Sequence, residues 1–191
     1  MKVGLFFGSF NPIHIGHMVL ANYMLEFTDL DKVWFVISPH NPHKEKASLL
    51  DERHRLQMVQ VAIEANPHLQ ASNVEFKLPQ PSYTVNTLAH LKEKYPENDF
   101  VLIMGADNLV SFHKWKNYEE ILKYHHLYVY PRHGSADSDL RTHEKVKFVN
   151  APQVEISSTM LRQAIREKKN IPYFFPEPVW NYIREMHFYE K

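Results

Sequence analysis

Three segments of this chain are apolar from end to end: "VGLFF" (3–7), "VWFVI" (33–37) and "FVLIM" (100–104). A strand with one wet face alternates polar and apolar side chains, so an unbroken apolar run demands cover on both faces. That demand selects a sheet enclosed between two layers of helices. Three further strand-like segments, "NVEF" (73–76), "HLYVY" (126–130) and "VKFV" (146–149), bring the sheet to five or six strands. Helical spacing fills the intervals. Val19, Leu20, Tyr23, Met24 and Phe27 share one face, as do Leu56, Val59 and Ile63 behind the acidic start at 51–52. A third helix is expected from Thr84, a fourth over 118–124, and two more over 157–169 and 176–186, parted by Pro172, Pro176 and Pro178. The polar stretch 132–144 reads as a surface loop. The alternation predicts an α/β fold with a doubly wound parallel sheet and a C-terminal helical segment, as a single domain over 1–191. Ligands bind such sheets at the carboxyl ends of the strands, near the switch in strand order.

Composition narrows the chemistry. The formal net charge is zero, so no global field draws the chain to nucleic acid or to an anionic membrane, and phosphate recognition has to be local. The absence of cysteine excludes disulfides, thiolate catalysis and cysteine-held zinc. No apolar run approaches the ~20 residues of a membrane helix. The chain opens directly into a strand-like segment without a basic leader, so a cytoplasmic protein is expected. Nothing in the sequence specifies an oligomeric state.

The most informative stretch is "GSFNPIHIGH" (8–17), between the first strand and the first helix. Residues three apart on a helix share a face, which places His14 and His17 together at a helix N-terminus, beside free backbone N–H groups and the positive end of the dipole. Gly16, without a side chain, lets a ligand approach the backbone between them. Such a corner favours an anion. A metal pair is the rival reading, but helical metal pairs usually stand four apart with an acidic neighbour, as in H-E-x-x-H. Solvated first-turn histidines are the plain alternative. "ISSTMLR" (156–162) repeats the theme. Ser157, Ser158 and Thr159 can cap a helix, and Arg162 lies within reach of the same end, which makes a second phosphate cradle.

Together these motifs resemble the nucleotidyltransferases that carry H-x-G-H, and "ISSTMLR" is similar to the I-S-S-T-x-x-R motif of nicotinate-nucleotide adenylyltransferases. Class I aminoacyl-tRNA synthetases share the first motif, but their lysine loop is missing here. The resemblance implies a Rossmann-like sheet and a reaction that joins ATP to nicotinate mononucleotide, with Mg2+ carried on the nucleotide. It implies that His14 and His17 act on the ATP phosphates, in a loop that includes Gly8, Ser9, Phe10 and Gly16. Ser157, Ser158, Thr159 and Arg162 are then expected to hold the β- and γ-phosphates.

Three more segments carry the acceptor side of the resemblance. "PHNPHK" (39–44) is similar to a P-P-H-K segment and nominates Lys44 for the incoming phosphate. "PSYTVNTL" (81–88) nominates Thr84 for the nicotinate carboxylate, although spacing alone makes Thr84 a helix cap. "GADNLVSFHKW" (105–115) nominates Asp107 for ribose hydroxyls and Trp115 for stacking on the pyridine ring. Asn11 stands where relatives commonly have aspartate, and "PRHG" (131–134) replaces R-P-G, leaving both Asn11 and Arg132 without an assigned role. Nicotinamide mononucleotide or phosphopantetheine as acceptor, or a nucleotide or metal sensor without turnover, are the alternative readings.

Overall fold

The computed structural model describes residues 1–39 and 49–191. Lys44 lies outside the described residues. Six parallel strands form one sheet: β1 (Lys2–Gly8), β2 (Lys32–Ile37), β3 (Leu69–Ser72), β4 (Asp99–Gly105), β5 (Leu127–Tyr130) and β6 (Val146–Phe148). Their order is β3-β2-β1-β4-β5-β6, so the direction of winding reverses between β1 and β4.

The apolar runs are covered on both faces, as their composition requires. Val3, Leu5, Trp34, Val36, Phe100, Leu102 and Met104 face one layer. Phe6, Val33, Phe35, Ile37, Val101 and Ile103 face the other. The first layer holds α3 (Thr84–Lys94), α4 (Ala106–Val110) and α5 (Tyr118–Tyr124), through Leu88, Leu91, Leu109, Ile121 and Leu122. The second holds α1 (Ile15–Phe27), α2 (Glu52–Ile63), α6 (Ser158–Arg166) and α7 (Glu177–Glu185), through Met24, Met58, Leu161 and Val179 among others. No helix among the described residues is long and apolar enough to cross a membrane.

Two elements depart from the sequence reading. The third strand is "LQAS" (69–72), and the expected strand at 73–76 is instead a 3-10 turn, Val74–Lys77. Its alternation has a different origin: the segment leaves an edge strand, with Val74 packed on one layer and Phe76 on the other. The helix expected over 157–169 closes at Arg166 because Lys168 turns left-handed (φ 59°). There Lys168 N–H donates to Ile165 and Lys169 N–H to Ala164, which satisfies the last carbonyls.

At the amino ends of the strands, Asp29 draws several elements together. Its carboxylate takes Lys2 Nζ of β1 at 2.6 Å and the hydroxyl of Tyr128 in β5, with Lys147 Nζ of β6 at 3.9 Å. The hydrogen bonds from Lys2 and then Tyr128 hold the Asp29 carboxyl down at about 2, against an ordinary 3.8. A depressed carboxyl stabilises the fold above its unfolded pKa and ceases to do so as pH falls through the folded value. Because the side chain is 54% exposed, the contribution is at most about 1 kcal/mol. Asp29→Asn should therefore lower the urea-unfolding free energy slightly at pH 7, and the gap from wild type should close as pH drops from about 4 to about 2.

Candidate active site

The winding reverses where β1 ends, and Gly8 begins the turn into α1. Phe10 adopts a left-handed backbone (φ 44°), a conformation that costs a bulky residue about 1–3 kcal/mol. Its ring is buried against Phe6, Phe35 and His17. A Cβ on Gly8 would lie 2.8 Å from that ring, so the glycine makes room for it. Phe10 thus offers a ligand its backbone and not its face, and the carbonyl of Ser9 is already taken by Arg55 at 2.6 Å.

His14 caps α1 in an extended conformation, and its imidazole lies over that of His17 with centroids 3.7 Å apart. His14 N–H donates to His17 Nδ1 at 3.2 Å. An accepting nitrogen carries no proton, so neutral His17 has its N–H at Nε2. His14 Nδ1 is buried without a hydrogen-bond partner among the described residues. Gly16 is buried beneath this ring, and an added Cβ would sit 3.1 Å from His14 Cε1 and Nδ1. Its missing side chain therefore accommodates the imidazole.

The second motif docks on the first. Ser158, the first residue of α6, donates its hydroxyl to the Pro12 carbonyl at 2.9 Å. Arg162 donates to the Asn11 carbonyl at 2.8 Å and to Thr159 Oγ1 at 3.3 Å. Ser157 caps α6 by accepting from Met160 N–H at 3.1 Å. Two helix N-termini nearly 150 residues apart thus converge on one turn. Asn11, left unassigned by sequence, is 3% exposed, and its Oδ1 accepts from Leu50 N–H at 3.2 Å and from the Tyr189 hydroxyl at 2.8 Å.

On the far side of the switch, β4 and β5 deliver Asp107 and Arg132. Arg132 Nε stands 3.7 Å from Asp107 Oδ1, both about half exposed. A Cβ on Gly105 would meet that carboxylate oxygen at 2.3 Å and Arg132 Cγ at 2.9 Å, so only glycine leaves the pair in place. Thr84 is the first residue of α3, whose cap is Tyr83 and not Thr84. Lys116 lies 4.4 Å over the Tyr83 ring, and half-buried Trp115 packs on Phe112 at 5.0 Å. The turn carrying Thr84 and the segment carrying Trp115 therefore meet.

Sequence reasoning missed two buried charges here. Arg55 is fully buried and Glu75 is 3% exposed. Burial pushes the Glu75 carboxyl up, while hydrogen bonds from Thr87 and Ser38 draw it down. Among the described residues no three His, Asp or Glu side chains group into a metal site.

Burial, and then the charge of Arg132, push the His14 imidazole down to about 4, so it is neutral at pH 7. Removing a cation favours protonation, so Arg132→Ala should raise the His14 pKa while leaving it below that of a free histidine. Ring-proton NMR titration reads this directly; an unmoved His14 midpoint would separate the two residues.

Residues 5–164 match the Cytidylyltransferase-like family model. The chain is 59% identical to the "Probable nicotinate-nucleotide adenylyltransferase" of Christiangramia forsetii, over 99% of this chain and 98% of that one. It is 55% identical to the protein of the same name from Flavobacterium johnsoniae, over the full length of both. Among solved structures it superposes on the nicotinic acid mononucleotide adenylyltransferase of Plasmodium falciparum, complexed with NaAD, with a TM-score of 0.82 at 18% identity, over 99% of this chain and 97% of that one. The fold is thus shared even where the sequence has diverged. The chain belongs to the Cytidylyltransferase-like family and, within it, to the nicotinate-nucleotide adenylyltransferases, which makes it a nucleotidyltransferase.

Proposed function

We propose that this nucleotidyltransferase moves the adenylyl group of ATP onto nicotinate mononucleotide, forming nicotinate adenine dinucleotide and pyrophosphate for NAD biosynthesis. The observation that carries the reading is the docking of the α6 N-terminus on the Asn11–Pro12 turn, beside the stacked histidines. Two helix N-termini, an arginine, a neutral His14 imidazole and the His17 ring then meet at the sheet's switch point, a seat suited to a polyphosphate. The names of the full-length relatives, and the NaAD held by the Plasmodium structure, support the acceptor.

In this reaction an oxygen of the mononucleotide phosphate attacks the α-phosphorus of ATP. The new P–O bond forms as the bond to the β-phosphate oxygen breaks, and pyrophosphate leaves with the electron pair. A phosphate monoester with a second pKa of about 6 is already largely dianionic at neutral pH and needs no general base. The protein aligns the two phosphates and stabilises the departing charge. His17 does so through Nε2–H, and His14 stands beside it as a second neutral imidazole. Ser157, Ser158, Thr159 and Arg162 hold the outer phosphates, while Gly8, Ser9, Phe10 and Gly16 line the nucleotide with backbone. Asp107 holds ribose hydroxyls, and Lys44 neutralises the incoming phosphate. Thr84 and Trp115 form the pyridine end. Mg2+ would enter bound to the ATP phosphates and offset their charge.

Incubation with ATP and Mg2+ plus nicotinate mononucleotide, nicotinamide mononucleotide or phosphopantetheine, with products identified by mass, tests the assignment. The dinucleotide of the acid form should dominate, and its absence sinks the reading. His17→Ala should lower kcat by about 100-fold or more, as expected when a donor to developing charge is lost, with the KM for ATP changed only a few-fold.

A further inference from the structure

Arg55 is fully buried on α2, and no acidic side chain pairs with it among the described residues. Its guanidinium is instead spent on carbonyls. Nε donates to Leu50 at 2.8 Å, one terminal nitrogen donates to Ser9 at 2.6 Å and Ser38 at 2.8 Å, and the other donates to Pro39 at 3.0 Å. These carbonyls have a common origin. β1 ends at Gly8 and β2 at Ile37, so Ser9 and Ser38 are the first residues beyond the paired ends of two adjacent strands. A buried carbonyl beyond its ladder needs a donor, and one planar guanidinium fills that need for both strands at once.

The linkage continues on the other layer. Val36 of β2 pairs with Ser72 of β3, so Ser38, two residues further on, comes out beside the turn after β3 that carries the buried Glu75, and its side chain is among the hydrogen bonds that draw that carboxyl down. The same carboxylate accepts the Thr87 hydroxyl at 2.8 Å. Thr87 lies in the first turn of α3, three residues after Thr84. A continuous path therefore runs from Ser9, in the turn that precedes His14, through Arg55, Ser38 and Glu75 to the start of α3.

We propose that Arg55 is a positioning residue which, acting through Ser38 and Glu75, fixes the separation between the ATP half and the acceptor half of the site. This rests on the adenylyl-transfer reading above. Each half keeps its own ligand contacts without Arg55. What Arg55 sets is the register of one half against the other, which matters only when both substrates are bound and the attack distance is at stake. Its removal is thus felt in the chemical step more than in either binding equilibrium.

Lysine carries the charge but not the planar fork, so Arg55→Lys cannot reach carbonyls in three segments. In Arg55→Lys the single-turnover rate of pyrophosphate release should fall about 30–100-fold, since misplacement on the order of 1 Å costs about that much. The Kd of ATP and of nicotinate mononucleotide, each measured alone by calorimetry, should stay within about threefold of wild type. Ser38→Ala cuts the path while sparing the Ser38 carbonyl and the core. It should lower the same rate about 5–10-fold, the worth of one hydrogen bond, again with both Kd values kept. If Arg55→Lys does not fold, Ser38→Ala decides alone. A rate within twofold of wild type in Ser38→Ala, or a loss of rate in either folded variant matched by equal losses of binding, overturns the proposal. A wild-type protein that forms no dinucleotide refutes the function itself, an outcome distinct from both.

Discussion

The site depends on how the Asn11 amide and carbonyl are satisfied. Asn11 lies between the first strand and the histidine helix, buried, and receives hydrogen bonds from three distant parts of the chain: Leu50 before α2, Arg162 on α6 and Tyr189 near the C-terminus. Each bond removes a polar group that burial would otherwise leave costly. An uncharged Oδ1 suits this position, since a backbone amide and a phenol donate to it. Burial pushes the Tyr189 phenol far above its ordinary value, which keeps it protonated and donating. The turn that aims His14 and His17 is thus held from several sides by side chains with other structural duties, and not by its own local propensity.

Legibility in the sequence followed burial. Strands covered on both faces announce themselves because every position is apolar, and β1, β2 and β4 were readable to within a residue or two. β3 was not, since an edge strand of four residues contains a single buried apolar side chain, Leu69, and the stronger signal came from Val74 and Phe76 beyond it. The two phosphate-type motifs were readable as motifs, because glycine, serine and histidine at helix starts have few other physical explanations. Their contact with each other was invisible, as it depends on the path of the chain between them. Arg55 left only a faint signal. In the sequence it is one basic residue in "DERHR", set apart from the exposed Arg53 only by standing four residues before Val59 on the apolar face. Only the fold separates the solvated charge from the one that holds the strand ends.

Glycine positions show a related limit. Gly8, Gly16 and Gly105 each sit where a Cβ would collide or crowd, but with different neighbours: the Phe10 ring, the His14 ring, and the Asp107–Arg132 pair. Sequence reading gave Gly16 the task of admitting a ligand to the backbone. In the fold the space a side chain would take lies 3.1 Å from the imidazole, so the missing Cβ also lets the His14 ring lie over that of His17.

A neutral chain that is to bind a polyanion has to place its positive potential locally, and here the fixed cations are each tempered. Arg132 faces Asp107, and Arg162 is bonded to a carbonyl and a hydroxyl. What remains is largely dipolar: helix N-termini and an imidazole kept uncharged by burial. In the proposed reaction this has a kinetic consequence. A buried imidazolium would attract the triphosphate of ATP and the released pyrophosphate alike, deepening the ground state and slowing departure of product. A neutral Nε2–H donor interacts modestly with the bound triphosphate and more strongly as charge accumulates on the leaving oxygen, which is the difference that accelerates the chemical step. The burial that depresses His14, the stacking that orients His17 and the turn held through Asn11 all serve that one condition.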